Sequence, residues 1–273
     1  MQHRKIAFIG AGNMTRSIVS GLVNNAYPAH LITASNPSIG KLTALQADFA
    51  INVTQDNKEA VDAADVIVLA VKPQFMEKVC QDLAQVQNLN DKLFVSIAAG
   101  ITTPRLQKML GGTYSIIRTM PNTPSALGKG MTGLFADINI DKNDRQYAAD
   151  LMSQVGEIAW VEKESMIDGV TAAAGSSPAY FYLFLEAMQK EAEQQGFDHA
   201  TARLMVQQAM LGAAEMVCHN PHLELSELRT QVTSKGGTTA QAIESLQQQG
   251  LEQVIANAMQ AAVKRAEEMA QQF

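Results

Sequence analysis

Cysteine is scarce: the 273-residue chain holds two, Cys80 and Cys218. They stand far apart and in no C-x-x-C spacing, which excludes a disulfide framework and reads as two reduced thiols in a cytosolic protein. Positive charge is nowhere gathered. Lys and Arg number 21 against 27 Asp and Glu, a net charge of −6 with no basic block, so neither nucleic acid nor an anionic membrane is expected as a partner. No apolar run reaches the roughly 18 residues of a membrane span. His3-Arg4-Lys5 leads into apolar residues, but that run stops at Gly10 with Asn13 and Arg16 close behind, so no secretory signal is expected. The chain reads as soluble and cytoplasmic. Several catalytic signatures are also missing: H-E-x-x-H, a Cys/His cluster, a G-x-S-x-G elbow and a Walker loop. His219 and His222 flank Asn220-Pro221 and read as a helix-end loop, and no metal is expected.

What is present is a globular balance, 47% hydrophobic and 18% charged, enough to bury a sizeable core. The chain is organised around Ile6-Ala7-Phe8-Ile9-Gly10-Ala11-Gly12-Asn13-Met14-Thr15. A short apolar strand runs into two glycines one residue apart and then into a helix. Such a turn aims backbone N–H groups and the positive helix end at an anion, and a pyrophosphate fits it best. Thr15 stands where the third glycine of the usual fingerprint would be. The same residues also suit a βα turn that binds nothing.

A second strand over 30–34 ends at Ser35-Asn36-Pro37-Ser38, followed by a helix over 39–47. The end of the second strand is where a carboxylate would accept from a ribose 2′-hydroxyl and repel a 2′-phosphate. Ser35, Asn36 and Ser38 occupy it, with Lys41 one turn on, which favours NADPH and leaves NADH possible. Apolar runs at 65–71, 93–98 and 114–118 read as strands buried on both faces, with a helix over 74–86 between the first two. Strands at 131–136 and 156–161 flank a helix over 142–154. The alternation predicts an α/β, doubly wound parallel sheet whose ligands lie beyond the strand ends.

Beyond Glu162 the composition turns helical, which divides the chain into 1–162 and 163–273. The run from Ala179 to Met188 is apolar nearly all round, and about 110 residues cannot bury such a helix alone, so a dimer through this half is expected. Further amphipathic helices cover 200–217 and 252–269. Three stretches there look unlike scaffold. Thr171-Ala172-Ala173-Ala174-Gly175-Ser176-Ser177-Pro178 reads as a small-residue kink, or equally as close helix packing. Ser234-Lys235-Gly236-Gly237-Thr238-Thr239 runs into a helix and makes a second anion cradle sized for a carboxylate, or else a flexible turn with a Thr cap. Glu164 and Asp168 share helical spacing, which reads as a solvated helix start. None of the five histidines sits at a predicted strand end. A reductase built on this chain therefore lacks a histidine acid, which points to a substrate already activated for hydride attack, such as a protonated imine.

Gly10-Ala11-Gly12-Asn13-Met14, Ala70-Val71-Lys72-Pro73, Gly175-Ser176-Ser177-Pro178-Ala179-Tyr180 and Thr233-Ser234-Lys235-Gly236-Gly237-Thr238-Thr239, in that order and at those separations, resemble the pyrroline-5-carboxylate reductase family. The resemblance runs from Lys5 to about Glu268 and rests most on the last two motifs. Lys235 and Ser177 depart from the family pattern, in what read as loops, and bear on loop rigidity. The resemblance implies a Rossmann N-terminal domain and an all-α C-terminal dimerisation domain, with dimers able to form rings. It implies NAD(P)H-dependent reduction of 1-pyrroline-5-carboxylate to L-proline. Cofactor contacts then fall to Ile9, Gly10, Ala11, Gly12, Asn13, Met14, Ser35, Asn36, Ser38, Asn57, Ala70, Val71, Lys72, Pro73, Ile97, Ala98 and Ala99. Substrate contacts fall to Glu164, Gln231, Gly237, Thr238 and Thr239, with Thr239 as the catalytic residue.

Two other readings compete. A β-hydroxyacid dehydrogenase shares the N-terminal half but needs a lysine or asparagine partner that the 174–178 stretch does not offer. A nucleotide-sensing dimer would leave the Gly-Gly-Thr-Thr loop without a purpose.

Overall fold

The computed structural model describes residues 3–272. Its eight-stranded sheet comprises β1 (Ile6–Ile9), β2 (Ile32–Ser35), β3 (Asn52–Thr54), β4 (Val66–Leu69), β5 (Leu93–Ser96), β6 (Ser115–Met120), β7 (Gly130–Ala136) and β8 (Gly156–Trp160). They lie in the order β3-β2-β1-β4-β5-β6-β7-β8. The order reverses between β1 and β4, the switch point at which a doubly wound sheet opens a crevice.

Helices α1 (Asn13–Asn24), α2 (Ile39–Phe49), α3 (Asn57–Asp62), α4 (Pro73–Leu83), α5 (Thr103–Leu110) and α6 (Lys142–Ser153) cover the sheet. The strand residues alternate between two cores. Ile6, Phe8, Val68 and Val95 pack with Ile18, Leu22 and Leu151 on one face. Ala7, Ile9, Ile67 and Phe94 pack with Met76, Cys80 and Leu106 on the other. Burial on both faces is why these strands read as unbroken apolar runs.

Three details depart from the sequence reading. His30 and Leu31 form a 3-10 turn ahead of β2 rather than its first residues. β3 and α3 fill a stretch with no apolar run; β3 is a partly exposed edge strand of three residues. And β7 runs antiparallel to β6, while β8 returns parallel to β7. The connection from β6 to β7, with its 3-10 turn at Thr123–Leu127, is too short for the crossover that a parallel neighbour needs.

Two compact units emerge: residues 1–178 with 261–273, and residues 179–260. In the first, α7 (Met166–Val170) runs into a π-turn, Thr171–Gly175. The second holds most of α8 (Ser177–Gln194), then α9 (His199–His219), α10 (Leu225–Gln231), α11 (Thr238–Gln248) and the start of α12 (Leu251–Gln272). Single-chain burial here is slight. Phe181, Tyr182, Leu183 and Phe184 on α8 are 45–68% exposed, an apolar surface that calls for a partner.

Three buried ionisable groups set an alkaline limit. Burial pushes the Cys80 thiol from 9.0 up to about 12. Burial also raises the phenols of Tyr27 and Tyr147, whose hydroxyls share a 2.8 Å hydrogen bond. A raised folded-state pKa gives stability that is intact below the unfolded value and lost as pH climbs toward the folded one. The melting temperature should therefore fall from about pH 9 upward in calorimetric scans; a flat profile to pH 11 would contradict this assignment.

Candidate active site

The glycine turn joins three strand ends. Gly10 N–H donates to Ser35 O at 2.8 Å and Ala70 N–H donates to Ile9 O at 2.9 Å. Gly10 has φ +114°, and a Cβ there would lie 2.7 Å from the Ala70 carbonyl oxygen, so only glycine fits. Thr15, in the place of the fingerprint's third glycine, is buried and donates its hydroxyl to Gly10 O at 2.7 Å. The departure thus fastens the turn. Gly12 is different: a Cβ built on it meets nothing within 4 Å. It is the N-cap of α1, with no side-chain cap and no acidic residue in the first turn. Open amides at a positive helix end are a ready anion site.

Beside this turn lies a cleft of about 540 Å³. Of the residues assigned to the cofactor by resemblance, Gly10, Ala11, Gly12, Ser35, Asn36, Ser38, Asn57, Ala70, Val71 and Lys72 line it. Asn13 and Met14 form the first turn of α1, and Pro73 opens α4. Ile9 is fully buried behind the turn. Ile97, Ala98 and Ala99 follow β5 and are not among the cleft residues.

The polar groups are divided between scaffold and cleft. Ser35 is buried and donates to Asn57 Oδ1 at 2.6 Å, so its hydroxyl orients Asn57. Asn36 Oδ1 accepts from Ala11 N–H at 3.3 Å. Ser38 is the N-cap of α2 but makes no capping bond. Phe75, Lys78, Val79 and Asp82 of α4 complete the wall and were missed in the sequence. Their i, i+3, i+4, i+7 spacing, which puts them on one helix face beyond Lys72, was the available signal. Lys41, Lys72 and Lys78 against the single Asp82 bias the cleft toward a polyanion.

A second cluster corrects the sequence reading of Glu164 and Asp168 as a solvated helix start. Both face Arg118 on β6, whose side chain is 2% exposed; Nη1 donates to Glu164 Oε1 and Nη2 to Asp168 Oδ1, each at 3.3 Å. Glu164 also accepts from Thr103 N–H at 2.7 Å and from its hydroxyl at 3.0 Å. Nearby, the π-turn leaves the Ala174 carbonyl to accept from Asn122 Nδ2 and from Ser177 Oγ, at 3.0 and 3.2 Å. Ser177 therefore lies not in a loop but at the first residue of α8, with a bond of its own.

In the helical unit, Gly236 has φ +76° and Gly237 caps α11 without a side-chain bond. Gly237 N–H is committed to Ser234 O at 3.0 Å, so its amide belongs to the turn. The donors left for a ligand are those of the first turn, starting with Thr238 and Thr239. Both side chains are exposed, as is Gln231 at the end of α10.

Two family models match the chain. Residues 164–269 match pyrroline-5-carboxylate reductase dimerisation, and residues 5–100 match NADP oxidoreductase, coenzyme F420-dependent. The pyrroline-5-carboxylate reductase of Vibrio alginolyticus is 58% identical over 273 residues, all of both chains. A solved pyrroline-5-carboxylate reductase from Coxiella burnetii superposes with a TM-score of 0.90 at 42% identity, covering 98% of this chain and 99% of that one. The NADP-bound pyrroline carboxylate reductase of Plasmodium falciparum gives 0.89 at 28% identity over 99% of each.

Proposed function

The chain belongs to the pyrroline-5-carboxylate reductase family, and from that premise we propose how its residues divide the work. The protein is an oxidoreductase that reduces 1-pyrroline-5-carboxylate to L-proline with NAD(P)H, the last step of proline biosynthesis. Its dimerisation domain mediates self-association. Residues 1–162 serve as the dinucleotide-binding domain and 163–273 as the substrate-binding and dimerisation domain, a division supported by the family match that begins at residue 164. The α8 surface favours a homodimer, with a ring of dimers as the larger assembly. A cytoplasmic site, away from membranes and nucleic acid, agrees with two unpaired cysteines and the net charge of −6.

The observation that carries the cofactor assignment is the open space at Gly12 on an uncapped helix end: a Cβ would fill the very room a pyrophosphate needs. The amides of Gly12, Asn13 and Met14 hold it, while Asn36, Ser38 and Lys41 receive the adenosine ribose. NAD(P)H, when bound, supplies the hydride for the C=N carbon. The chain does the rest by binding. The amides of Thr238 and Thr239 grip the substrate carboxylate, with Gly237 shaping their turn and Gln231 and Glu164 as further contacts. The Thr239 hydroxyl reaches the ring nitrogen and keeps its proton in place. Positioning two reactants in this way can supply about 7–11 kcal/mol of the barrier, so no histidine acid is required.

NADPH is the preferred donor on this account, supported by the missing carboxylate at 35–38 and by Lys41 in the cleft. Losing one charge-assisted contact of about 1.5–3 kcal/mol should show directly. Lys41→Glu is expected to raise the KM for NADPH at least about tenfold and to leave that for NADH within about twofold. Equal effects on both would refute the assignment. Oxidation of NADPH with pyrroline-5-carboxylate, set against 3-hydroxyisobutyrate with NAD⁺, tests the activity itself; turnover of only the second pair would overturn it.

A further inference from the structure

We propose that Arg118 is a positioning residue for hydride transfer: through Glu164 and Thr103 it holds the 97–102 loop that walls the nicotinamide. The inference rests on the cofactor reading above, in which Ile97, Ala98 and Ala99 are cofactor contacts.

The loop leaves β5 at Ser96 and enters α5 at Thr103, and both ends are tied. Ser96 pairs in register with Arg118. The Ser96 carbonyl accepts from the Thr119 hydroxyl at 3.2 Å, and its own hydroxyl oxygen accepts from Ala98 N–H at 3.4 Å. At the far end Thr103 gives both its N–H and its hydroxyl to Glu164, whose carboxylate is in turn held by Arg118. The middle is equally confined. Gly100 has φ +72°, and a Cβ there would come 2.5 Å from Met269 Cβ of α12.

Burial makes Arg118 costly. Its Nε is buried with no hydrogen-bond partner among the described residues, and a desolvated guanidinium is rarely better for stability than a well-packed apolar side chain. Stability is therefore a poor reason for its presence, whereas fixing a wall against a reacting ring is a sufficient one. The loop's place supports this. It follows β5, the neighbour of β4, whose carboxyl end lines the cleft. A dinucleotide laid across the switch point with its adenosine at β2 carries its other end toward that side.

The test compares Arg118→Met with Arg118→Lys in the purified, full-length enzyme. With no nucleotide present, amide hydrogen exchange should rise about tenfold or more across 97–103 in Arg118→Met and stay unchanged at 10–14, as expected for local loosening. A misplacement of about 1 Å can cost a hundredfold in rate. The kcat should accordingly fall about tenfold to a hundredfold, the primary deuterium isotope effect with 4-deuterated NADPH should grow, and the affinity for 2′,5′-ADP should hold within about twofold. Arg118→Lys should recover part of kcat and of the loop protection.

An unchanged isotope effect, with activity lost only in step with the folded fraction, would overturn the proposal. If Arg118→Met does not fold, Thr103→Val and Asp168→Ala each remove one side-chain bond of the cluster and are read by the same measurements. Ala99→Leu separates the proposal from its premise. If that variant leaves hydride transfer intact, the nicotinamide is not at this loop and both fail. If it impairs transfer and Arg118→Met does not, Arg118 alone is excluded.

Discussion

Thr239→Val is expected to lose about ten- to a hundredfold in kcat/KM for pyrroline-5-carboxylate, the loss of one charge-assisted hydrogen bond, accepted by the hydroxyl from the protonated ring nitrogen, of about 1.5–3 kcal/mol. The side chain is exposed and has no bond among the described residues, so the melting temperature should not move. NADP⁺ affinity should also hold, because the nucleotide cleft is built from other residues. Thr239→Ser, which keeps the hydroxyl, should retain most of the activity. Steady-state kinetics with calorimetric binding distinguishes these effects; wild-type turnover in the valine variant would remove Thr239 from the mechanism.

Gly12→Val should weaken NADPH binding about a hundredfold or more, the equivalent of about two charge-assisted hydrogen bonds at 1.5 kcal/mol each. A Cβ at Gly12 meets nothing, so stability should fall by no more than the roughly 1 kcal/mol that an apolar residue costs at an N-cap. Gly10→Ala reverses the pattern. Its Cβ would press on the Ala70 carbonyl in a left-handed conformation, so the fold itself should suffer. Isothermal titration and melting curves on the two variants separate a ligand-facing glycine from a structural one. A Gly12→Val variant destabilised well beyond that capping cost would show that the space is needed by the protein itself.

Sequence alone made the central strands and the glycine turn legible for a physical reason. Residues such as those of β4 are buried on both faces, and only an unbroken apolar run satisfies that. β3 gave no such signal, being three residues at a sheet edge. The direction of β7 was hidden because strand polarity leaves no mark on side chains; only the short β6–β7 connection betrays it. Arg118 looked like the end of a strand. Its partners lie 46 and 50 residues away, a separation that no local pattern encodes, and so Glu164 and Asp168 passed for a solvated pair. The α4 wall was the opposite case: Phe75, Lys78, Val79 and Asp82 announce one helix face, and the signal was there to be read. Gly237 marks a finer limit. The sequence places it in the turn, but only coordinates show that its amide is already committed to Ser234.

The account is tested most directly by a crystal structure of the assembled enzyme with NADP⁺ and L-proline bound. It should show the pyrophosphate on the amides of Gly12, Asn13 and Met14, and the proline carboxylate on those of Thr238 and Thr239. A proline carboxylate held elsewhere, with the α11 amides left to solvent, would contradict it.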